Sequence, residues 1–125
     1  MTTQRLDVTG GTIAFDDSGG SGPLVVMIPG AGDTRDEYRF VAPDLVAGGA
    51  RVVTMDLRGH GESSADWPAY GMADTASDLT ALLEHLGASP ATVVATSFAP
   101  AAALWAAAPR GRRASPPDMT CRPDT

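Results

Sequence analysis

Apolar positions along this chain switch between two periods, and the switches mark its elements. Residues 24–28 form an unbroken apolar run between Gly22-Pro23 and Pro29-Gly30. A run of that length suits a strand covered on both faces, as in a parallel sheet. Residues 51–55 and 92–95 read the same way. Between these strands the spacing lengthens. Tyr38, Val41, Leu45 and Val46 recur at helical intervals, with Pro43 acceptable only near the helix start. Gly48 and Gly49 follow, where a helix end favours left-handed backbone. Met72, Ala76, Leu79, Leu82, Leu83 and Leu86 form a second, longer helical stripe, closed by Gly87 and Pro90. Residues 98–108, rich in alanine, predict a third helix. Ahead of all this, residues 5–8 and 12–15 flank Thr9-Gly10-Gly11 and predict a hairpin.

The predicted order is a hairpin followed by β-α-β-α-β-α. Alternation of that kind implies an α/β fold, with a parallel sheet covered by helices and right-handed crossovers. Residues 109–125 break the pattern. They carry four prolines and four arginines and no apolar periodicity, so they predict a disordered tail. The change is abrupt and directly follows a helix. That favours a foreign or frame-shifted sequence over a natural flexible end. The organisation is thus a partial domain over residues 1–108 and a Pro/Arg-rich tail over 109–125.

Composition narrows the partners. The formal net charge is -6, which argues against nucleic acid and anionic membranes. One cysteine, Cys121, excludes an internal disulfide framework and fits a reducing compartment. The first residues lack a basic segment followed by an apolar run, so no signal peptide is expected, and no apolar stretch reaches the roughly 20 residues of a membrane span. The expectation is a cytoplasmic protein. Two histidines and one cysteine lie without metal-ligand spacing, so no metal site is expected.

Three segments fall at the C-terminal ends of the three buried strands, where open α/β sheets gather their ligand sites. They are Pro29-Gly30-Ala31-Gly32-Asp33, Asp56-Leu57-Arg58-Gly59-His60-Gly61-Glu62-Ser63-Ser64 and Ala95-Thr96-Ser97-Phe98-Ala99. A serine between a strand and a helix lies beside unpaired helix N–H groups and the positive dipole end, which stabilise negative charge. The residues two before and two after Ser97 are both alanine, small enough for a tight turn. A plain N-cap serine is the alternative.

Together the three segments resemble the α/β-hydrolase family. Residues 56–63 match its Asp-x-Arg-Gly-His-Gly-x-Ser signature, residues 29–32 are similar to its oxyanion loop, and residues 95–99 are similar to its Gly-x-Ser-x-Gly elbow with alanine at both glycines. Pro29 stands where the family usually has histidine. The resemblance implies the N-terminal half of an α/β-hydrolase fold, cut before the later strands and the lid. It implies Ser97 as nucleophile, the N–H groups of Ala31 and Phe98 as oxyanion donors, no cofactor, and acyl transfer on a small ester-like substrate. Members that open epoxides or remove halogen use aspartate at the nucleophile position, so Ser97 argues against those reactions. By the same resemblance the signature loop is structural, with Asp56 anchoring it and His60 not the base. His85 sits at a helix end, where a cation complements the dipole.

The family places an acid and then a histidine after the nucleophile. Here only Asp118 and Asp124 follow Ser97, and no histidine does. A serine without a base is a weak nucleophile, so the expectation for this chain alone is an inactive fragment or pseudoenzyme. Residues 92–95, interior in the family, become an exposed edge open to self-association. A dinucleotide-binding module is the remaining alternative, since Gly30-x-Gly32 follows one strand and Asp56 ends the next. Arg35, standing where that fingerprint has its third glycine, weakens it.

Overall fold

The computed structural model describes residues 3–30, 32–87 and 90–96, and beyond them residues 103, 104 and 107. Strands β1 (Thr3–Val8) and β2 (Gly11–Asp17) form the antiparallel hairpin, paired from Thr3↔Asp16 to Val8↔Gly11. The turn is Thr9-Gly10 alone, because Gly11 already belongs to β2. Then come β3 (Leu24–Ile28), a 3₁₀ turn (Arg35–Tyr38), α1 (Val41–Ala47), β4 (Arg51–Met55), α2 (Met72–Leu86) and β5 (Ala91–Ala95). Ala103, Leu104 and Ala107 have helical backbone, within the span predicted for a third helix. The tail predicted over 109–125 lies outside the described residues.

The sheet order is β1-β2-β4-β3-β5. β3 runs parallel to β4, from Leu24↔Arg51 to Met27↔Thr54, and parallel to β5, from Leu24↔Ala91 to Ile28↔Ala95. β2 joins β4 antiparallel, with Phe15 opposite Met55. The step from β3 to β4 crosses the sheet one way and the step from β4 to β5 the other. Right-handed crossovers therefore send α1 and α2 to opposite faces.

The core follows that split. Leu24, Val26 and Ile28 of β3 and Val53 and Met55 of β4 pack with Leu79 and Leu82 of α2. Met27 and Val52 point the other way and pack with Tyr38 and Ala42. This is the period-2 alternation of a two-faced strand, and each fully buried aliphatic side chain contributes about 1.5–3 kcal/mol. On α2 the predicted stripe is the buried one, and Gly87 ends the helix at φ 67°, donating its N–H to Leu83 O at 3.2 Å.

The first helix differs from its prediction. Tyr38 lies in the 3₁₀ turn rather than in α1, and Val41 and Val46 are exposed. Ala42 and Leu45 make the contact with the sheet, and Pro43 sits in the first turn, where its missing N–H is tolerated. The left-handed residue after α1 is Gly49, at φ 100°, and not Gly48. Among the described residues β5 pairs only with β3 and forms the sheet's edge.

Candidate active site

The site is built above β3, the strand from which the chain leaves toward one face while its neighbour β4 sends it to the other. Ligand sites of open α/β sheets gather at such a point. Around it lie the segment after β3, the loop after β4 and the end of β5. Ser97 and both expected oxyanion donors, Ala31 and Phe98, lie outside the described residues. What is described is the frame around them: Gly30, Gly32 and Asp33 on one side, residues 56–64 on a second, and Thr96 on a third.

Asp56 holds the middle of this frame. Its side chain is fully buried. Oδ1 accepts the Arg35 N–H at 2.7 Å and Oδ2 accepts the Glu62 N–H at 3.0 Å, while the Arg35 guanidinium closes on Oδ2. A buried carboxylate is tolerable only with such partners. Arg35 also donates to Asp16 Oδ2 at 2.9 Å, Glu62 Oε1 at 2.6 Å and Thr3 Oγ1 at 2.9 Å. Burial works against its charge, but the hydrogen bonds it donates to Glu62 and Asp16 and the charge of Asp56 outweigh it and raise its pKa above the ordinary value. The same hydrogen bond lowers the pKa of Glu62. The loops after β3 and β4 and the hairpin thus meet on one guanidinium.

The rest of the loop after β4 is equally committed. The Ser63 hydroxyl donates to Asp56 O and accepts the Ala14 N–H, each at 2.9 Å. Arg58 is buried and presents its fork to Asp78 of α2 at 2.8 and 2.9 Å. It also donates to Ala69 O at 2.8 Å and lies 4.2 Å over the Trp67 ring. The hydrogen bonds it donates to Asp78 raise the Arg58 pKa. Gly61, at φ 51°, passes so close to Asp56 that a Cβ there would overlap the carboxylate. The expected structural role of this loop, and of Asp56 as its anchor, is what the geometry shows. Asp56 is enclosed by Arg35 and Glu62 and cannot offer its carboxylate to a ribose, which removes the dinucleotide alternative.

His60 is engaged at both nitrogens. Nδ1 lies 2.9 Å from Arg58 O, and Nε2 lies 2.9 Å from Gly32 N. A carbonyl only accepts and an amide N–H only donates, so Nδ1 carries the hydrogen and Nε2 the lone pair. His85 lies in the last turn of α2, its ring edge-on to Phe15 at 5.9 Å.

The 3₁₀ turn contributes side chains that the sequence did not mark as functional. Glu37 Oε1 accepts the Gly30 N–H at 3.2 Å. Tyr38 OH donates to Ile28 O at 2.7 Å and accepts from Thr96 Oγ1 at 2.7 Å, while Thr96 N donates to the same Ile28 carbonyl at 3.3 Å. Burial raises the Tyr38 pKa, so the phenol stays a donor. One short turn therefore holds Asp56 through Arg35, Gly30 through Glu37 and Thr96 through Tyr38. Only Arg35 had a sequence signal, as the sole basic residue between positions 6 and 38 of an acidic chain.

Among the described residues no group of three or more His, Cys, Asp or Glu is placed to hold a metal ion, and no helix is long and apolar enough to cross a membrane.

The sequence profile of the family described as "alpha/beta hydrolase fold" matches residues 23–112, more than half of the chain. The chain belongs to the α/β hydrolase fold family. This α/β hydrolase is 36% identical over 91 residues to a magnesium-chelatase 30 kDa subunit of Rhodobacter capsulatus, covering 72% of this chain and 32% of that protein. It is 37% identical over 75 residues to epoxide hydrolase B of Mycobacterium tuberculosis, covering 58% of this chain and 21% of that one. A bromoperoxidase from Bacillus anthracis superposes with a TM-score of 0.78 at 31% identity, over 84% of this chain and 38% of that structure. The chain spans about a third or less of the length of the curated relatives it matches. Its sheet ends, among the described residues, at the strand that leads into the serine.

Proposed function

We propose that this chain carries the nucleophile half of a serine hydrolase site, with Ser97 as nucleophile and the N–H groups of Ala31 and Phe98 as oxyanion donors for a small ester-like substrate. The observation that carries this reading is the pairing of β5 with β3 in register to Ile28↔Ala95. The serine follows Thr96 directly on the strand beside the one that leads into the Gly30–Gly32 segment. Tyr38 ties the two strand ends together through Ile28 and Thr96. If Ser97 stands at a strand-to-helix turn there, its hydroxyl would meet a substrate carbonyl, and the N–H groups of Ala31 and Phe98 would receive the charge that develops on the carbonyl oxygen. Serine acyl transfer needs no metal or cofactor.

The same geometry limits the chemistry. Attack by Ser97 on an ester carbonyl requires a base for the hydroxyl proton, returned to the leaving alkoxide later. His60 is committed to Gly32 and Arg58, and no histidine follows Ser97 in these residues. The loss of a triad partner lowers turnover by roughly 10⁴ to 10⁶. Among these 125 residues the site is therefore read as the nucleophile half, with no base identified for Ser97. Among the described residues β5 is the sheet's edge, which favours association with another chain or another copy, through the backbone around Val94, which is 37% exposed.

A second reading, epoxide opening, has the names of relatives such as epoxide hydrolase B behind it. Serine at the nucleophile position speaks against it. A fluorophosphonate probe at high concentration separates the readings. Slow modification confined to Ser97, accelerated by added imidazole and absent in Ser97→Ala, is the expected result. A folded sample in which Ser97 stays unmodified even with imidazole overturns the serine-hydrolase reading. Fast ester turnover without imidazole, lost in Ser97→Ala, overturns the half-site statement.

A further inference from the structure

We propose that His60 is a positioning residue for the oxyanion loop, and that its neutral, Nδ1-protonated form fastens the segment around Ala31. The proposal rests on the reading of Ala31 as an oxyanion donor, though the contact itself does not. Gly32 follows Ala31 directly, and its N–H points to His60 Nε2 at 2.9 Å. Among the described residues this is the one hydrogen bond between the segment after β3 and a side chain of the loop after β4 that spares Arg35 and Asp56. It draws on the signature loop, whose backbone is fixed independently. His60 N donates to Leu57 O at 3.0 Å, Ser63 N donates to His60 O at 3.1 Å, and Gly59 N donates to Ser64 O at 2.8 Å. A ring on so rigid a base transmits its position to whatever it holds.

The ring's tautomer is selected by Arg58. Its carbonyl, 2.9 Å from Nδ1, can only accept, which places the hydrogen there and leaves the Nε2 lone pair for Gly32. The Arg58 side chain, on the same residue, is held by Asp78, Ala69 and the Trp67 face. Protonation of His60 would put a second N–H against the Gly32 N–H, exchanging an attraction for a repulsion. The charged side chains on the two facing segments have other partners. Asp33 Oδ1 accepts the Thr34 N–H, Glu37 Oε1 accepts the Gly30 N–H, Glu62 pairs with Arg35 and Arg5, and Asp56 pairs with Arg35. The orientation of the segment next to Ala31 therefore follows the protonation of this one ring, in a family site where the imidazole itself need never touch substrate.

Nitrogen NMR of the full chain tests this without a variant. For the uncharged ring the expected spectrum has the hydrogen on Nδ1 and none on Nε2. As the ring takes up a proton, exchange of the Gly32 amide, relative to its intrinsic rate, should rise about tenfold, the factor that one ordinary hydrogen bond supports. His60→Gln keeps an acceptor near the Nε2 position and should hold Gly32 protected at every pH. His60→Ala should leave it unprotected at every pH. A hydrogen on Nε2 of the uncharged ring overturns the proposal, and so does Gly32 protection that is the same for the uncharged and the protonated ring. Because neither measurement involves Ser97, failure of probe labelling leaves this contact standing, and failure here leaves the nucleophile assignment standing.

Discussion

Gly61→Ala is the sharpest perturbation of the frame that shapes the site. Two costs combine at this position. The first is conformational: φ is 51°, and an L-residue in left-handed backbone loses about 1–2 kcal/mol. The second is steric and electrostatic. The new methyl would overlap the Asp56 carboxylate, which is fully buried and cannot retreat into solvent. Moving it weakens its bond from the Glu62 N–H and its contact with Arg35. Hydrogen bonds to a charged group are worth about 1.5–3 kcal/mol, so the total expected loss is about 3–5 kcal/mol. Gly87→Ala supplies the control. Its φ of 67° is similar, and nothing lies within 4 Å of the added Cβ, so it should show the conformational cost alone. Urea unfolding followed by far-UV circular dichroism measures both. The difference between the two variants, about 2–3 kcal/mol, isolates the Asp56 cradle. Equal destabilisation of the two would refute the reasoning, because Asp56 would then have room that the structure denies it.

Arg58→Met should cost about 3–5 kcal/mol in thermal or urea unfolding, since it leaves Asp78 buried without its fork, and Arg58→Met with Asp78→Leu should recover much of that loss. Tyr38→Phe should lower stability by about 1–2 kcal/mol with unchanged circular dichroism, because Ile28 O and the Thr96 hydroxyl both lose a partner. Acid should destabilise the fold through Asp17, whose pKa is lowered by its hydrogen bond from Arg51. A carboxyl with a folded pKa below its unfolded one contributes fully above about pH 4 and loses that contribution as the pH falls through the folded value. Urea midpoints measured downward from pH 5 should show this, and Arg51→Gln should flatten the dependence.

Sequence by itself determined the elements and their order. Apolar spacing separates β3, β4 and β5 from α2, because short runs between turn residues suit strands covered on both faces, whereas a helix repeats its apolar positions every 3.6 residues. It also determined the family, because residues 56–63 carry the signature in one short stretch. Asp56 accepts two backbone N–H groups, Gly61 makes way for it, and Ser63 bridges β2 to β4. Tertiary structure alone decided which polar side chains meet. Arg35 reaches Asp56 across 21 positions, Arg58 reaches Asp78 across 20, and Tyr38 reaches Thr96 across 58. Tyr38 was legible only as a helical apolar position, because its hydroxyl finds partners that no local period encodes. Hydrogen bonds of this kind are set by which loops the sheet order brings side by side. That order depends on the handedness of the crossovers and on the whole apolar core, so no short stretch of the chain contains it.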